Sequence, residues 1–372
     1  MTGAPAARPG LSVCERGRML RKMAKSLISL VLTFLLLEGL VRVTDLDRQI
    51  MGNPYKGAPI IGMLQPDPFL HWRGYPGMRL LSTAERFNSR GLRGPEIARK
   101  RPGVRRIAVL GDSCTFGIVR AGEKFLDLPK PYAARLQELF DRNAGPGRYE
   151  VINYGTIGYT TFHGLRILRK EVLHDDPDFV VIRFGFNDHL ASPVRHSFYS
   201  TRNSLREMIE DAVCPSRLLS LLFFFRGNPV KDASPWIISD HPIVWVTPEE
   251  YAWNLSHMID LCRDHGAEPI LLDALAAPIT DEWRKDSVDF VNRMGYETMG
   301  QYLTAHEDYQ AIAARVAREK AVPFVRTAVL PSQAWSYFSR YDIAHPIAAG
   351  HERIARILYK EITALAVRPE AP

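Results

Sequence analysis

Five residues in this chain have types and spacing that could do chemistry together: Ser113, Gly158, Asn187, Asp342 and His345. Ser113 ends the apolar stretch "IAVLGDSCTFG" (107–117), which stops abruptly at Gly-Asp-Ser. Gly158 lies in "NYGTIGYTT" (153–161) and Asn187 in "GFNDH" (185–189). Asp342 stands three residues before His345 in "YDIAHPIAAGHERIA" (341–355). Singly, each has an ordinary explanation, since Gly, Asp, Asn and Ser are turn residues and a lone histidine is usually structural. As a set they make an acyl-transfer site. Serine needs a base to be nucleophilic near neutral pH, and imidazole has the pKa for that task. The imidazole needs a carboxylate to fix its tautomer, which Asp342 could supply to His345. A tetrahedral intermediate needs preorganised donors, and the backbone N–H groups of Ser113 and Gly158 with the Asn187 amide offer three.

Those residues must be held by something, and the chain between them alternates in period. Apolar strand candidates run over 107–110, 149–154, 179–184, 268–274 and 323–326. Helical patterns cover 132–140, 162–173, 248–265 and 307–320, and a last helix spans 348–366. Continuous apolar strands separated by amphipathic helices imply an α/β fold with a parallel sheet covered on both faces. Every candidate except the Asp342/His345 pair follows directly on a strand, where open parallel sheets collect their chemistry. Asp112 and Asp188, beside the candidates, are assigned to shaping their loops.

The four stretches, in this order, resemble the SGNH/GDSL hydrolase superfamily, whose four blocks are named for a Ser, a Gly, an Asn and a His. They fall on Ser113 in "GDSCTFG", Gly158 in "NYGTIGY", Asn187 in "GFND" and His345 in "DIAHP". The resemblance covers roughly residues 107–365. It implies a three-layer α/β/α sandwich around a parallel, flavodoxin-like sheet. It also implies Ser113 as nucleophile, His345 as base oriented by Asp342, and an oxyanion hole of Ser113, Gly158 and Asn187. No cofactor or metal is implied, and the sequence has no P-loop, dinucleotide glycine signature or zinc spacing. Two departures stand out: Cys114 replaces the leucine that gives the family one of its names, and residues 190–245 form a long insertion or cap.

The remaining sequence concerns location. The net charge is +7, but residues 1–25 hold six basic residues against Glu15 alone, ahead of the most apolar segment, "SLISLVLTFLLLEGLVRV" (26–43). Basic charge in front of an apolar span is a topology signal, so nucleic acid is not an expected partner. Residues 1–25 read as a cytoplasmic tail and 26–43 as an uncleaved signal anchor in the inner membrane. Glu38 and Arg42 are placed to pair near its outer end. Residues 44–105 read as a stalk or wrapping loop, 106–366 as the hydrolase domain in the periplasm, and 367–372 as a tail. The charge run "ARKRPGVRR" (98–106) reads as a solvated loop. Of four cysteines, Cys114 is expected to pack as a small apolar residue, and a Cys214–Cys262 bridge is open. The resemblance implies a serine esterase or O-acyl hydrolase working through an acyl-serine, and because the anchor ending "LEGLVR" (37–42) is similar to that of membrane-tethered bacterial members, it also implies an acyl ester such as an O-acetylated cell-surface glycan. An O-acyltransferase with the same triad, a lipid esterase and a catalytically silent binding protein are the alternatives.

Overall fold

A computed structural model describes residues 13–44, 46, 61–67, 69–122, 124–192, 216–219, 221, 243–274, 276–277, 295–327, 333–339 and 342–367. In chain order, helix α1 (Val13–Thr44) precedes an antiparallel hairpin, β1 (Leu64–Asp67) and β2 (His71–Gly74). Strand β3 (Arg105–Gly111) leads into a single helical turn, α2 (Ser113–Phe116), and a second hairpin, β4 (Ile118–Ala121) and β5 (Lys124–Asp127). Then come α3 (Tyr132–Ala144), β6 (Tyr149–Asn153), α4 (Thr161–Ile167) and β7 (Phe179–Arg183). Beyond α4 the backbone continues as a π-helical turn at Leu168–Val172 and a 3-10 turn at Leu173–Asp175. A two-residue ladder joins β8 (Ala191–Ser192) to β9 (Ile243–Val244). The chain closes with α5 (Pro248–Asp264), β10 (Glu268–Leu272), α6 (Met299–Glu319), β11 (Phe324–Val325), α7 (Ala334–Tyr337) and α8 (Ala348–Ala366).

Five strands form one wholly parallel sheet in the order β11-β10-β7-β3-β6. Taken from the β6 edge, that is the flavodoxin-like 2-1-3-4-5 order. Alternation along each strand feeds two cores. Ala108, Leu110, Val180, Ile182 and Leu271 face α4, α5 and α6 through Leu165, Met258 and Val316. Ile107, Val109, Val181, Ile270 and Leu272 face α3 and α8 through Leu136, Leu358 and Ile362. The result is a three-layer α/β/α sandwich. Local signals set the helix starts: Thr247 and Glu250 form a capping box with Pro248 in the first turn of α5. Thr298 and Gln301 do the same for α6, which therefore begins eight residues earlier than its apolar period suggests.

Helix α1 contains the span Met19–Thr44, long and apolar enough to cross a bilayer by length and composition. At 26 residues it is ~39 Å long, against a hydrocarbon core of ~30 Å. Arg42 pairs with Glu38 at 2.7 Å, and the same carboxylate accepts from the Ser216 hydroxyl (2.8 Å) and the Arg217 and Leu218 N–H groups (3.0 and 2.9 Å). Most of the 190–245 insertion, Cys214 and residues 368–372 lie outside the described residues. Cys262 is a buried free thiol.

Between 61 and 105 the chain packs closely on the sandwich. Arg73 bridges Asp67 and Glu171, Arg90 bridges Glu171 and Asp175, and buried Arg93 donates to the carbonyls of Phe116 and Leu128. The run at 98–106 is only partly the solvated loop its charge suggests. Arg99 is exposed, but Arg106 is 2% exposed and saturated by Glu150 and the carbonyls of Asp175 and Ala98. Charge density along a sequence does not reveal that its last two members lie in a central strand. Arg106→Ala leaves these acceptors without their cation and should lower stability by about 3 kcal/mol in urea unfolding. Arg99→Ala should change it by less than about 0.5 kcal/mol.

Candidate active site

The nucleophile candidate sits where β3 runs out at the switch point of the sheet, between β6 and β7. Gly111 is forced: a side chain there would overlap Thr115 Oγ1 and come within 2.7 Å of the Arg183 carbonyl. Asp112 then caps α2, its Oδ1 accepting from the Cys114 N–H at 2.9 Å. The same oxygen accepts from Arg183 Nη1 at 3.1 Å, an ion pair with side chains 0% and 1% exposed. Ser113 thus begins a helical turn pinned from below, closed at its far end by Gly117 in the left-handed region.

Three candidates come together in a line. Ser113 Oγ lies 2.8 Å from His345 Nε2, and His345 Nδ1 lies 2.7 Å from Asp342 Oδ2. A carboxylate only accepts, so Nδ1 carries the proton and Nε2 presents its lone pair to the serine hydroxyl. Asp342 is fixed in turn, its Oδ1 accepting the N–H groups of Ala344 (2.8 Å) and His345 (3.1 Å). Burial works against the charged imidazole, but the adjoining Asp342 carboxylate outweighs it and raises the His345 pKa above its ordinary 6.5. Burial likewise opposes ionisation of Asp342, and His345 with the two backbone donors overcomes that, holding the carboxyl below its usual range.

Gly158 and Asn187 occupy the loops after β6 and β7, the two neighbours of β3. The Asn187 amide donates to the Tyr159 carbonyl at 2.9 Å, which ties the two loops together and leaves its second N–H hydrogen. The β6 loop is tied to the nucleophile turn by Asn153, whose amide donates to the Thr115 carbonyl at 2.9 Å. Asp188 shapes the β7 loop from underneath: buried, it accepts from both the N–H and the hydroxyl of Thr161. Burial pushes its carboxyl up to about 7. Cys114 is buried with its thiol toward the Ala344 carbonyl, and burial drives its pKa well above the ordinary value, so it packs rather than reacts.

Two site residues escape the sequence reading. Arg183 stands inside the apolar run "FVVIRF" (179–184), and a guanidinium in a buried strand demands a buried partner; that signal was available. Phe125 on β5 meets the His345 ring edge-on, with centroids 5.9 Å apart, and Arg120 of β4 lies over the Phe125 ring. No periodicity announces a hairpin of two four-residue strands so soon after a nucleophile.

The model of the GDSL-like lipase/acylhydrolase family matches residues 109–353, about two thirds of the chain. Among curated proteins no significant match is found. Among solved structures, a lipase/acylhydrolase from Enterococcus faecalis is 20% identical, covering 72% of this chain and 100% of its own, with a TM-score of 0.44. An acetylxylan esterase from Geobacillus stearothermophilus is 17% identical over 71% and 96% of the two chains, at a TM-score of 0.41. A GDSL-like lipase from Bacteroides thetaiotaomicron is 17% identical over 72% and 92%, also at 0.41.

The geometry makes a direct prediction for titration. Followed by NMR, the His345 ring should have its midpoint above 6.5 in the wild type. In Asp342→Asn burial and the Arg183 charge, which both disfavour the imidazolium, outweigh the remaining pull of the Asp112 carboxylate, and the midpoint should fall below that value. A wild-type midpoint at or below 6.5 would mean that Asp342 does not stand ionised beside the ring.

Proposed function

The chain belongs to the GDSL-like lipase/acylhydrolase family and is a hydrolase of ester bonds, and from that premise we propose that it works through an acyl-Ser113 intermediate. The observation that carries this reading is the unbroken line Ser113–His345–Asp342, with both contacts under 3 Å. As Ser113 Oγ bonds to the ester carbon, its proton passes to His345 Nε2 and the carbonyl electrons move onto oxygen. Asp342 stays ionised and steadies the imidazolium. The oxyanion is held by the N–H groups of Ser113 and Gly158 and by the free hydrogen of the Asn187 amide. Collapse expels the alcohol, which takes the proton from His345. Water then repeats the sequence against the acyl-serine and releases the acid.

We take the ester to be an O-acyl group, O-acetyl above all, on a cell-surface glycan. Support comes from the apolar span of α1 with its basic N-terminal flank, which would hold the domain outside the inner membrane among such polymers. The alcohol leaves on the His345 side, where Phe125 and Arg120 form an aromatic and cationic wall.

On an activated aryl acetate, Ser113→Ala and His345→Ala should each lower kcat by about 10⁴-fold while the melting temperature holds. Asn187→Ala should lower kcat by about 10²–10³-fold with little change in KM, because the oxyanion exists only along the reaction path. The rate should climb with pH through the raised His345 pKa, half-maximal above 6.5. A Ser113→Ala enzyme as active as the wild type would sink the reading.

A further inference from the structure

Gly158 carries its proposed role through a peptide group, and a peptide group can turn over. The Tyr159 N–H donates to the Thr156 carbonyl at 3.2 Å, so Thr156-Ile157-Gly158-Tyr159 is a β-turn. Gly158, at φ +79°, has the conformation of the third position of a type II turn. Types I and II differ mainly by a half-rotation of the central peptide, here the Ile157 carbonyl and the Gly158 N–H. Glycine meets no steric barrier to either form. In a trans peptide those two groups point in opposite directions. Whatever holds the Ile157 oxygen therefore aims the Gly158 N–H.

The holder comes from outside the region matched by the family model. Trp72, on β2 of the hairpin that follows α1, is 6% exposed. Its indole Nε1–H donates to the Ile157 carbonyl at 2.8 Å. On the other side of the glycine, the Tyr159 hydroxyl donates back to the Trp72 carbonyl at 2.8 Å. The indole lies over the glycine itself, since a side chain on Gly158 would come 3.2 Å from Trp72 Cζ2. The His163 and Tyr159 rings pack beside it at centroid distances of 4.9 and 6.1 Å, and Trp245 meets it edge-on. The hairpin is itself anchored, with Arg73 bridging Asp67 to Glu171.

We propose that Trp72 is a positioning residue for the reaction: it locks the Thr156–Tyr159 turn in its type II form and so fixes the direction of the Gly158 oxyanion donor. The proposal rests on the acyl-serine reading for what that donor does. Loss of the indole N–H frees the 157–158 peptide to turn, and in the turned form a carbonyl oxygen replaces the donor. The hairpin between the apolar helix and the sandwich thereby becomes part of the catalytic apparatus.

The test uses the full chain in detergent micelles, with Trp72→Phe, Asp67→Asn and Ser113→Ala. Trp72→Phe keeps an aromatic ring but has no donor for Ile157. Asp67→Asn weakens the hairpin, where Asp67 accepts from the Phe69 and Leu70 N–H groups, and leaves the indole in place. For Trp72→Phe, kcat on an aryl acetate should fall about 10–100-fold with KM within about twofold. Affinity for a boronic acid that bonds to Ser113 and mimics the tetrahedral oxyanion should fall by the same factor. Hydrogen exchange of the 157–160 amides should quicken in Trp72→Phe more than in Asp67→Asn. The proposal is overturned if Trp72→Phe keeps its kcat, or loses no more than an Asp67→Asn enzyme of equal melting temperature. Unchanged exchange at 157–160 would overturn it as well. The Ser113→Ala arm reports on the acyl-serine reading alone: turnover surviving there ends that reading, while the exchange comparison still decides whether Trp72 locks the turn.

Discussion

The 2.8 Å contact between Ser113 Oγ and His345 Nε2 joins residues 232 positions apart, and the rest of the molecule can be understood as what keeps it that short. A hydrogen bond of this kind weakens steeply with a few tenths of an ångström or a modest tilt. Both ends are accordingly fixed from behind. The serine sits on a turn whose cap, Asp112, is gripped by fully buried Arg183 from the adjacent strand. The histidine is gripped by Asp342, which is itself gripped by two backbone N–H groups.

The buried ion pair is the less expected of these devices. A guanidinium with no exposed surface is costly unless a carboxylate and hydrogen bonds satisfy it, and such pairs add little net stability. Its place is informative. Asp112 directly follows β3 and Arg183 ends β7, the two strands flanking the switch point, so the pair staples together the crevice in which the chemistry lies. The sheet supplies rigidity from both faces, with the Ile107/Val109 side packed on α3 and α8 and the Ala108/Leu110 side on α4, α5 and α6.

How much of this was legible in the sequence depended on how local the signal was. The five parallel strands and their covering helices followed from continuous apolar runs and amphipathic periods. Their limits moved where caps rather than periodicity set the start, by as much as eight residues at Thr298. The site residues could be named because Gly-Asp-Ser, Gly-x-Asn-Asp and Asp-x-x-His are short and each follows or precedes a recognisable element. Arg106 was misjudged because burial of a charge depends on Glu150 and on carbonyls far along the chain. Trp72 lies in a stretch without period, and nothing in "FLHWRGYPG" (69–77) tells that its indole reaches a carbonyl 85 residues away. Long-range hydrogen bonds from irregular segments leave no trace in a linear pattern.

In an acyl-serine mechanism the acyl group must pass through Ser113 Oγ on its way to water. The most direct measurement is rapid acid quenching of the wild-type enzyme during turnover of an aryl acetate, followed by peptide mass mapping. An added mass of one acetyl group on the peptide carrying Ser113, localised by fragmentation to Ser113 Oγ and released over time by water, is the result the account predicts. Steady turnover with no acetyl on Ser113 at any quench time, or with the label on another residue, would contradict it.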